Sequence, residues 1–356
     1  MCPDPDLRVD IVYLWVNGSD PVWRRKRERA AARLSASHRN AMALYGNVEG
    51  RFRDNDELRY SLRALSRFFP DHGHIYVVTD NQTPAWLKPS SQLTLVDHRD
   101  LIPADKLPTF DSGNIESYIH RIPNLSERYF YFNDDVFFGA PVQLDDWFYS
   151  GGTYVAWSDD PEVTNEPLRA DATALENACR LSNQWLGARA TDPVTGQSAD
   201  VLLSYVPVFR TFAHSPRPML KSRLMMLEAL APELFEAVRS TVFRAWDKPT
   251  IVSDFVLRWA LAHGQSRVCE HSHVYLSTGD GAVGELDEQL AALVVAVGQL
   301  DFFCINDTTD DALAHDPRLG RARKALQKIF PNPSAFEQPT QPARRTKTTP
   351  QVMSVV

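Results

Sequence analysis

Short apolar runs separated by amphipathic segments predict an alternation of strands and helices in the first third of the chain. Val9–Val16 is rich in β-branched and aromatic residues and ends in the turn residues 17–21. Runs at 75–79 and 93–96 have the same character. The order strand, helix, strand, helix, strand predicts an α/β sheet.

The helices of this part are indicated by apolar residues that recur every three or four positions. Leu58, Leu62, Leu65 and Phe69 follow one another at such spacings and predict a helix with an acidic first turn at 54–57. Asp54 and Glu57 have the spacing of a capping box. A basic helix is expected over Trp23–Leu34.

A further helix is predicted where Ile115, Ile119 and Ile122 share one face. That spacing leaves Glu116 and His120 together on another face, four residues apart. An exposed Glu–His pair without a function explains the same spacing equally well.

The second half of the chain is expected to add mainly helices. Residues 159–199 are polar and irregular and predict an inserted lobe or lid, and 286–300 predicts a buried helix or strand. Helices are expected over 220–230, with a Met and Leu face in the core, and over 251–263. After Phe336 the composition cannot build a core, which predicts a disordered tail over 338–356.

Composition and charge exclude some classes of function. With 44% hydrophobic and 23% charged residues in 356, the chain is that of a globular protein with a sizeable core. A formal net charge of −7 argues against a nucleic-acid binder. The basic run Arg24–Arg27 is interpreted as a solvated helix face, with phosphate contact as the alternative.

The cysteines bear on the compartment. Cys2, Cys179, Cys269 and Cys304 are scattered without CxxC spacing, which favours a reducing environment over a zinc site or a disulfide framework. No secretory signal and no apolar run of membrane-spanning length is found. We therefore expect a cytoplasmic protein.

Polar residues interrupt one of the most apolar segments, Tyr131–Phe138, at Asn133-Asp134-Asp135. Burying carboxylates is unfavourable by several kcal/mol unless a cation or hydrogen bonds compensate. A divalent metal at a strand end would compensate, and an Asn-Asp-Asp turn between two strands is the alternative. Asn306-Asp307 follows another apolar run and leaves the same two interpretations open.

Four separated blocks resemble the conserved regions of the Stealth proteins. They include Asp10–Asp20 (DIVYLWVNGSD), then 51–63 (RFRDNDELRYSLR) continuing to Asn133-Asp134-Asp135, then 212–264, and finally 303–308 (FCINDT) with 330–337 (FPNPSAFE). The resemblance covers most of residues 9–337 in the family's order. It implies one catalytic domain over 1–337, with regions at about 9–20, 50–150, 205–264 and 300–337.

What the resemblance implies is transfer of a sugar 1-phosphate, such as N-acetylglucosamine 1-phosphate, from a nucleotide-sugar to a glycan hydroxyl. A nucleoside monophosphate would leave. The implied fold is a nucleotide-sugar-binding core similar to glycosyltransferase type A, with helical additions. Expected partners are a UDP-linked donor, a glycan acceptor and export machinery at the inner face of the membrane, in capsule or exopolysaccharide synthesis, with no nucleic acid.

The chemistry of that reaction assigns roles to residues in the blocks. Asp134, Asp135 and Asp307 are expected to bind Mg²⁺ or Mn²⁺, because hard cations prefer carboxylate oxygens. His214 is the expected base, with Glu116 positioning the acceptor or serving as alternate base. Pyrophosphate contacts are expected from three arginines, which can bind two oxygens at once, and nucleotide contacts from the first loop: Arg59, Arg121 and Arg244; Asn17, Gly18, Ser19 and Asp20.

Two other functions remain as alternatives. A metal-dependent glycosyltransferase would attack the anomeric carbon and release a nucleoside diphosphate. A non-enzymatic carbohydrate-binding protein would need neither His214 nor the acids. The identity of the released nucleotide separates these alternatives from sugar-phosphate transfer.

Overall fold

The protein is built on a central, mostly parallel sheet, which confirms the predicted α/β class. A computed structural model describes residues 8–190, 205–279, 283–312 and 316–339. The central sheet has the strand order β3-β2-β1-β4-β8, and β8 is antiparallel to β4. Its strands are β1 (Val9–Leu14), β2 (Ile75–Thr79), β3 (Leu93–Asp97), β4 (Arg128–Asn133) and β8 (Arg217–Leu220).

Two three-stranded sheets accompany the central one in the described residues. The first has the order β10-β11-β5 and the second β6-β7-β9. These strands are β5 (Val136–Phe138), β6 (Phe148–Tyr149), β7 (Gly152–Val155), β9 (Ser266–Val268), β10 (His273–Ser277) and β11 (Phe302–Asn306).

Helices cover the sheets and connect their strands. In chain order they are α1 (Pro21–Arg33), α2 (Ala36–Asn40), α3 (Glu57–Phe68), α4 (His98–Leu101), α5 (Ser112–Glu116), α6 (Ala174–Ala190), α7 (Lys221–Leu230), α8 (Pro232–Arg239), α9 (Val256–Ala262), α10 (Val283–Ala296) and α11 (Pro317–Ile329). A π-helical turn, Ile251–Phe255, leads into α9.

The core lies on both faces of the central sheet. Along β1, Ile11 and Tyr13 belong to one apolar cluster, whereas Val12 and Leu14 belong to another, because successive side chains of a strand point to opposite faces. Asp10 is fully buried in β1, and its carboxylate accepts hydrogen bonds from the amides of His74 and Ser126, at 2.7 and 2.9 Å. Each of these bonds ties β1 to the segment that leads into a neighbouring strand.

The register of β1 and β4 brings two polar loops to the same edge of the sheet. The strands are parallel, and Leu14 lies opposite Asn133. Because parallel strands end at the same edge, the loop after β1 and the turn after β4 are neighbours. On the other side of that turn, β5 pairs antiparallel with β11, with Val136 opposite Cys304.

Two local predictions were wrong because tertiary contacts decide the polar side chains. Asp54 and Glu57 form no capping box, since α3 is preceded by Asp56 in a left-handed conformation (φ 69°) with no side-chain cap. Glu57 instead accepts hydrogen bonds from the amide and the side chain of Asn55. The expected helix over 115–122 is broken after Glu116, so Glu116 and His120 do not share a face: Glu116 contacts Tyr131, and His120 pairs with Glu228.

The later elements also differ in part from expectation. The segment 159–199 contains α6, so it is not irregular throughout, and 191–199 lies outside the described residues. The segment 286–300 is mainly helix α10. On α7, Leu224 and Leu227 are buried as expected, but Met225 and Met226 are exposed. The expected tail lies outside the described residues from residue 340 onward.

Cysteines and helices give two further results. The described cysteines Cys179, Cys269 and Cys304 are free thiols. None of the helices described is both long and apolar enough to cross a membrane.

A buried ion pair attaches the segment after α11 to α3. Arg63 lies against Glu337 with two contacts, Nε to Oε1 at 2.6 Å and Nη2 to Oε2 at 2.7 Å. Both side chains are almost fully buried, at 4% and 1% exposure. Burial alone raises the pKa of Glu337, but the hydrogen bonds from Arg63, the Ser334 amide and Arg59 outweigh it and lower the pKa to about 2.

Replacing Glu337 with Gln should destabilise the protein by about 3 kcal/mol, because it leaves the buried Arg63 without its counter-charge. Urea unfolding at pH 7 measures this loss. The folded-state pKa lies below the ordinary value, so the stabilisation is complete above about pH 4.5 and disappears as the pH falls toward 2. The difference between wild type and E337Q should therefore shrink between pH 5 and pH 3. The exposed control E288Q should change stability by less than about 0.5 kcal/mol, and an equal loss in both variants would contradict the assignment.

Candidate functional site

The centre of the candidate site is the turn Asn133-Asp134-Asp135 between β4 and β5. All three residues are partly exposed, in contrast to the buried strands on either side. The backbone carbonyl of Asp135 accepts a hydrogen bond from the Ile305 amide at 3.1 Å, which ties the turn to β11. The turn interpretation of this sequence is therefore correct, and it does not exclude the metal interpretation.

His214 lies directly against this turn. Its Nε2 is 3.0 Å from Asn133 Nδ2 and 3.2 Å from Asp135 Oδ1. A ring nitrogen without a proton accepts from the amide, whereas a protonated one donates to the carboxylate. The ring keeps 19% exposure. His214 Nε2 thus lies where it can accept a hydrogen bond from Asn133 or donate one to Asp135.

Cys304 completes a cluster of possible metal ligands. Its Sγ donates to Asp135 Oδ2 at 3.4 Å, and ligand atoms of Asp135, His214 and Cys304 all lie within 4.8 Å of one another. Burial and the neighbouring Asp135 raise the pKa of the Cys304 thiol well above its ordinary value. Such a group of side chains could hold a metal ion.

Several carboxyl groups are crowded together beside the turn. Burial, followed by repulsion from Glu57, Asp135 and Asp54, raises the pKa of Asp134 well above its ordinary value. Burial and Asp54 likewise raise the pKa of Glu57 to about 8, and burial raises that of Asp54 to about 6. The proximity of these acids makes their ionised forms unfavourable, and a bound cation would stabilise those forms.

Asp307 is not gathered into the ligand cluster. Its Oδ2 accepts hydrogen bonds from Arg53 and from Asn55, the latter at 3.2 Å, and its Oδ1 accepts from the amide and the hydroxyl of Thr309, at 3.0 and 2.6 Å. The carboxylate is thus occupied by protein donors, and it holds the 53–55 segment in place. Its role as a metal ligand stays a prediction.

Glu116 reaches the turn through one buried tyrosine. The hydroxyl of Tyr131 lies 2.8 Å from both Glu116 Oε1 and Asn133 Oδ1. Glu116 itself is 1% exposed. Glu116, Tyr131, Asn133 and His214 therefore lie in one row of polar contacts, in which the single hydroxyl proton of Tyr131 is donated to either Glu116 Oε1 or Asn133 Oδ1. This row brings together two of the residues predicted from sequence.

Two guanidinium groups meet at the first residue of α5. Nη2 of Arg51 and Nη2 of Arg244 lie 3.1 and 2.5 Å from the hydroxyl of Ser112. Burial, followed by repulsion from Arg244, lowers the pKa of Arg51 to about 9. Asp111 already pairs with Arg244, Nε to Oδ1 at 3.4 Å. A further anion bound between the two guanidinium groups would relieve the repulsion that remains.

Arg217, at the start of β8, is a third cation of the site. The residue is 2% exposed, and its Nε has no hydrogen-bond partner among the residues that the structure describes. Burial lowers the pKa of Arg217, and the negative charges of Glu116 and Asp135 oppose that effect. A buried guanidinium with an unpartnered donor is suited to an anionic ligand.

Two of the predicted pyrophosphate contacts serve other partners. Arg59 Nε is 2.6 Å from Glu337 Oε2, and Arg121 Nη2 is 2.6 Å from Glu228 Oε1. Their expected role is not supported by these contacts and stays a prediction.

The loop after β1 is close-packed against the segment 50–52. A Cβ on Gly18 would lie 2.3 Å from the Phe52 carbonyl oxygen, so only glycine fits there. Asp20 caps α1 by accepting from the amides of Val22 and Trp23, and Asn17 Oδ1 accepts from the amide and hydroxyl of Ser19. These side chains shape the loop, and their contact with a nucleotide stays a prediction.

Sequence reasoning missed Arg51, Arg217, Tyr131 and Cys304 as parts of the site. Arg51 and Arg217 had a usable signal, because each lies within a block already singled out, next to an acidic loop or to His214. Tyr131 and Cys304 look like ordinary strand residues, so only the tertiary structure reveals them.

Comparison of the sequence with family profiles finds three matches. The profile described as Stealth protein CR1, conserved region 1, matches residues 7–35; that of conserved region 2 matches 51–155; and that of conserved region 4 matches 298–348. These segments contain the loop after β1, the Asn133-Asp134-Asp135 turn and Asp307. The assignment of 212–264 to the third region stays a prediction.

Similar proteins carry names from polysaccharide synthesis. Exopolysaccharide phosphotransferase SCO2592 of Streptomyces coelicolor is 32% identical over 94% of this chain and 33% of that protein. Exopolysaccharide phosphotransferase CpsY of Mycobacterium leprae is 31% identical over 94% of this chain and 58% of its own length. Capsular polysaccharide phosphotransferase cps1A of Actinobacillus pleuropneumoniae is 38% identical over 52% of each chain. The chain thus spans between one third and somewhat over half of these relatives.

Solved structures with some likeness to this chain include glycosyltransferases. Galactosyltransferase LgtC, in complex with donor and acceptor sugar analogues, has 9% identity and a TM-score of 0.41, and covers 91% of this chain and 98% of that one. Mouse xyloside xylosyltransferase 1 has 10% identity and a TM-score of 0.36, and the match covers 87% of this chain and 99% of that one. With TM-scores this low, the likenesses carry no argument about the reaction.

Inorganic pyrophosphate should bind between Arg51 and Arg244 and raise the melting temperature of the wild-type protein, because it pairs both guanidinium groups. The double variant R51Q/R244Q should bind pyrophosphate at least tenfold more weakly by calorimetry. The single variant R51Q should melt no lower than wild type in phosphate-free buffer, since it removes a repulsive charge. The exposed control K324Q should bind as wild type does, and undiminished binding by R51Q/R244Q would contradict the assignment.

Proposed function

The chain belongs to the Stealth family, and on that premise we propose that it transfers a sugar 1-phosphate from a nucleotide-sugar to a hydroxyl group of a glycan. The names of its relatives support this activity in exopolysaccharide or capsule synthesis. Because the chain spans only part of those relatives, the activity, the donor and the acceptor are all part of the proposal. A UDP-linked donor is the first choice, and association with export machinery stays a prediction.

One observation carries the proposal: crowded charges of both signs lie in the same part of the structure as His214. Asp134, Glu57 and Asp54 have raised pKa values, Arg217 has an unpartnered Nε, and Arg51 and Arg244 converge on Ser112 although only Arg244 is ion-paired there, with Asp111. A pyrophosphate with its divalent cation presents the complementary charges in one ligand. A neutral sugar alone would match neither group.

The carboxylates fit a hard divalent cation better than the complete Asp135–His214–Cys304 cluster does. Mg²⁺ and Mn²⁺ prefer oxygen ligands, whereas thiolates select softer metals. Asp134 and Asp135 would therefore hold the cation, and His214 would stay free for proton transfer. When bound, the cation neutralises charge on the phosphate oxygens.

The reaction proposed here breaks the bond between the sugar-side phosphorus and the oxygen that bridges the two phosphates. The acceptor oxygen forms a new bond to that phosphorus, and a nucleoside monophosphate leaves with the bridging oxygen. His214 Nε2 takes the acceptor's proton, and Asp135 Oδ1, at 3.2 Å, then accepts a hydrogen bond from the imidazolium. Asn133 Nδ2, at 3.0 Å, donates to the unprotonated Nε2 until the acceptor hydroxyl replaces it at the single lone pair of that nitrogen.

The remaining residues position the substrates. The negative charges of Glu116 and Asp135 both act on the guanidinium group of Arg217 and favour its charged form. This guanidinium group is therefore suited to bind an equatorial phosphate oxygen. Arg51 and Arg244 are suited to the departing phosphate. Glu116 acts through Tyr131 and Asn133 on the orientation of His214, and we therefore treat it as a positioning residue rather than the base.

Incubation with UDP-N-acetylglucosamine, Mn²⁺ and a glycan acceptor should release UMP, because attack occurs at phosphorus. Chromatography and ³¹P NMR identify the nucleotide and the new phosphodiester, and a panel of other nucleotide-sugars extends the search for the donor. Release of UDP would mean attack on the anomeric carbon and would refute the proposal in favour of a glycosyltransferase. Binding of glycan without turnover of any donor would favour a carbohydrate-binding protein.

Replacement of His214 tests its assignment as the general base in the same assay. H214A should lower kcat at least a hundredfold, within the range of general base catalysis. H74A removes a histidine at the opposite edge of the sheet, beside the start of β2, and should leave kcat unchanged. Near-normal turnover by folded H214A would end the assignment of the base.

Removing divalent cations with EDTA should lower the melting temperature, and Mn²⁺ should restore it, because the cation binds the folded carboxylates. D134N/D135N should lose the response to Mn²⁺ and should melt no lower than wild type in EDTA, since it relieves the repulsion. D145N, an exposed acid elsewhere, should respond as wild type does. An equal Mn²⁺ response in D134N/D135N would contradict the proposed ligands.

A further inference from the structure

A basic cleft runs along helix α1, outside the site described above. It has a volume of about 770 Å³ and is lined by Val22, Arg25, Lys26, Arg29, Ala30, Arg33, Leu34, Ser35, His38, Pro108 and Val242. This volume lies within the range of ordinary ligand sites. The whole chain has a net charge of −7, so the cleft is not the result of a generally basic surface.

The arginines of the cleft form one row without counter-ions. Arg25, Arg29 and Arg33 follow each other every four residues, which places them on one face of α1 over ~12 Å. All three are exposed, and none forms an ion pair or a side-chain hydrogen bond with another described residue. Like charges at this spacing repel each other, and a polyanion along the row would remove that repulsion.

Other charges on the helix are already matched. Lys26 Nζ lies 2.6 Å from both carboxylate oxygens of Asp80, and Arg27 bonds to Glu49 and Asn47. Glu28, the acidic residue of α1, is not among the residues lining the cleft. The unmatched positive charge is thus concentrated on the row that faces the cleft.

The cleft shares its wall with the proposed phosphate site. Pro108 and Val242 line it, and the segments that carry them are joined by the hydrogen bond from the Phe110 amide to the Val242 carbonyl, at 2.6 Å. The same two segments continue to Ser112 and Arg244. A chain lying in the cleft would therefore lead toward Arg51 and Arg244.

We propose that this cleft binds a glycan that carries phosphodiester groups, namely the growing product of the transferase. The proposal rests on the proposed function, because each transfer of a sugar 1-phosphate adds one phosphodiester and one negative charge. Successive charges along such a chain match the successive arginines, whose guanidinium groups bind phosphate oxygens in pairs. Ala30, Leu34 and Val242 supply an apolar floor for the sugar rings. They pack on a buried aromatic cluster formed by Trp23, Phe52, Phe110 and Phe243.

Two other polyanions fit less well. Single-stranded nucleic acid is bound by stacking of its bases on aromatic side chains, and no Phe, Tyr or Trp lines the cleft within the described part of the chain. An anionic membrane presents a broad flat surface, whereas the arginine row faces a cleft. Both serve as comparison ligands in the test.

Binding should be measured by fluorescence anisotropy with labelled oligomers of two, four and eight hexose units joined by phosphodiesters. We expect affinity to increase with length and to fall as salt screens the charges. R29E/R33E should bind the eight-unit oligomer at least tenfold more weakly than wild type. The matched control K324E/K328E reverses two exposed charges with the same spacing on α11 and should stay within twofold.

The comparison ligands decide the class of partner. A neutral oligosaccharide of eight hexoses should not bind measurably, and single-stranded DNA of equal charge should bind more weakly than the oligomer. Equal or tighter binding of that DNA, or binding only to vesicles containing phosphatidylserine, would overturn the proposal. Unchanged affinity in R29E/R33E would overturn the assignment to this cleft.

Turnover separates this proposal from the proposed function. R29E/R33E should release nucleoside monophosphate with a short neutral acceptor at the wild-type rate, and should lose at least tenfold in kcat/KM with the eight-unit acceptor. If UDP rather than UMP is released, the proposed function fails while the binding assay still reports on the cleft. If UMP is released but elongation is equal in both variants, the cleft proposal alone fails.

Discussion

Unmatched charge at the carboxyl edge of the central sheet is the constraint on which the rest of this structure depends. Asp134 and Glu57 share a poorly solvated space in which ionisation is unfavourable, and burial and repulsion raise the pKa values of both. Arg51 and Arg244, in turn, converge on a single hydroxyl, that of Ser112. Such an arrangement is unfavourable by itself and is stabilised by a ligand that brings both a cation and an anion.

A rigid scaffold keeps these charges in place. The parallel register of β1 with β4 sets the position of the turn, and β5 continues directly into the pairing with β11. Phe137 stacks on Phe303 across that pairing, with ring centroids 4.8 Å apart. Since a packed core resists small displacements, the charged side chains cannot simply move apart into solvent.

The candidate site was predictable in its outline and not in its contacts. His214, Asp135 and Glu116 were named from their blocks, and the structure joins them through Asn133 and Tyr131. Asp307 was expected at the same ion because it repeats an Asn-Asp pattern at a strand end. In the structure Arg53 and Asn55 occupy its carboxylate, and spacing along the chain cannot reveal such a partner more than 250 residues away.

The sequence by itself determined the strands β1 to β4 of the central sheet and the α/β class, because the period of apolar residues is a local property of the chain. It did not predict the edge strand β8. It also determined the family, through blocks whose residues are peculiar in themselves. Only the tertiary structure decided which polar side chains meet. Glu57 was expected to cap its own helix but bonds to Asn55 instead, and the helix expected over 115–122 breaks so that Glu116 turns to Tyr131. Hydrogen bonds and charge depend on neighbours brought together by folding, and a local pattern does not contain them.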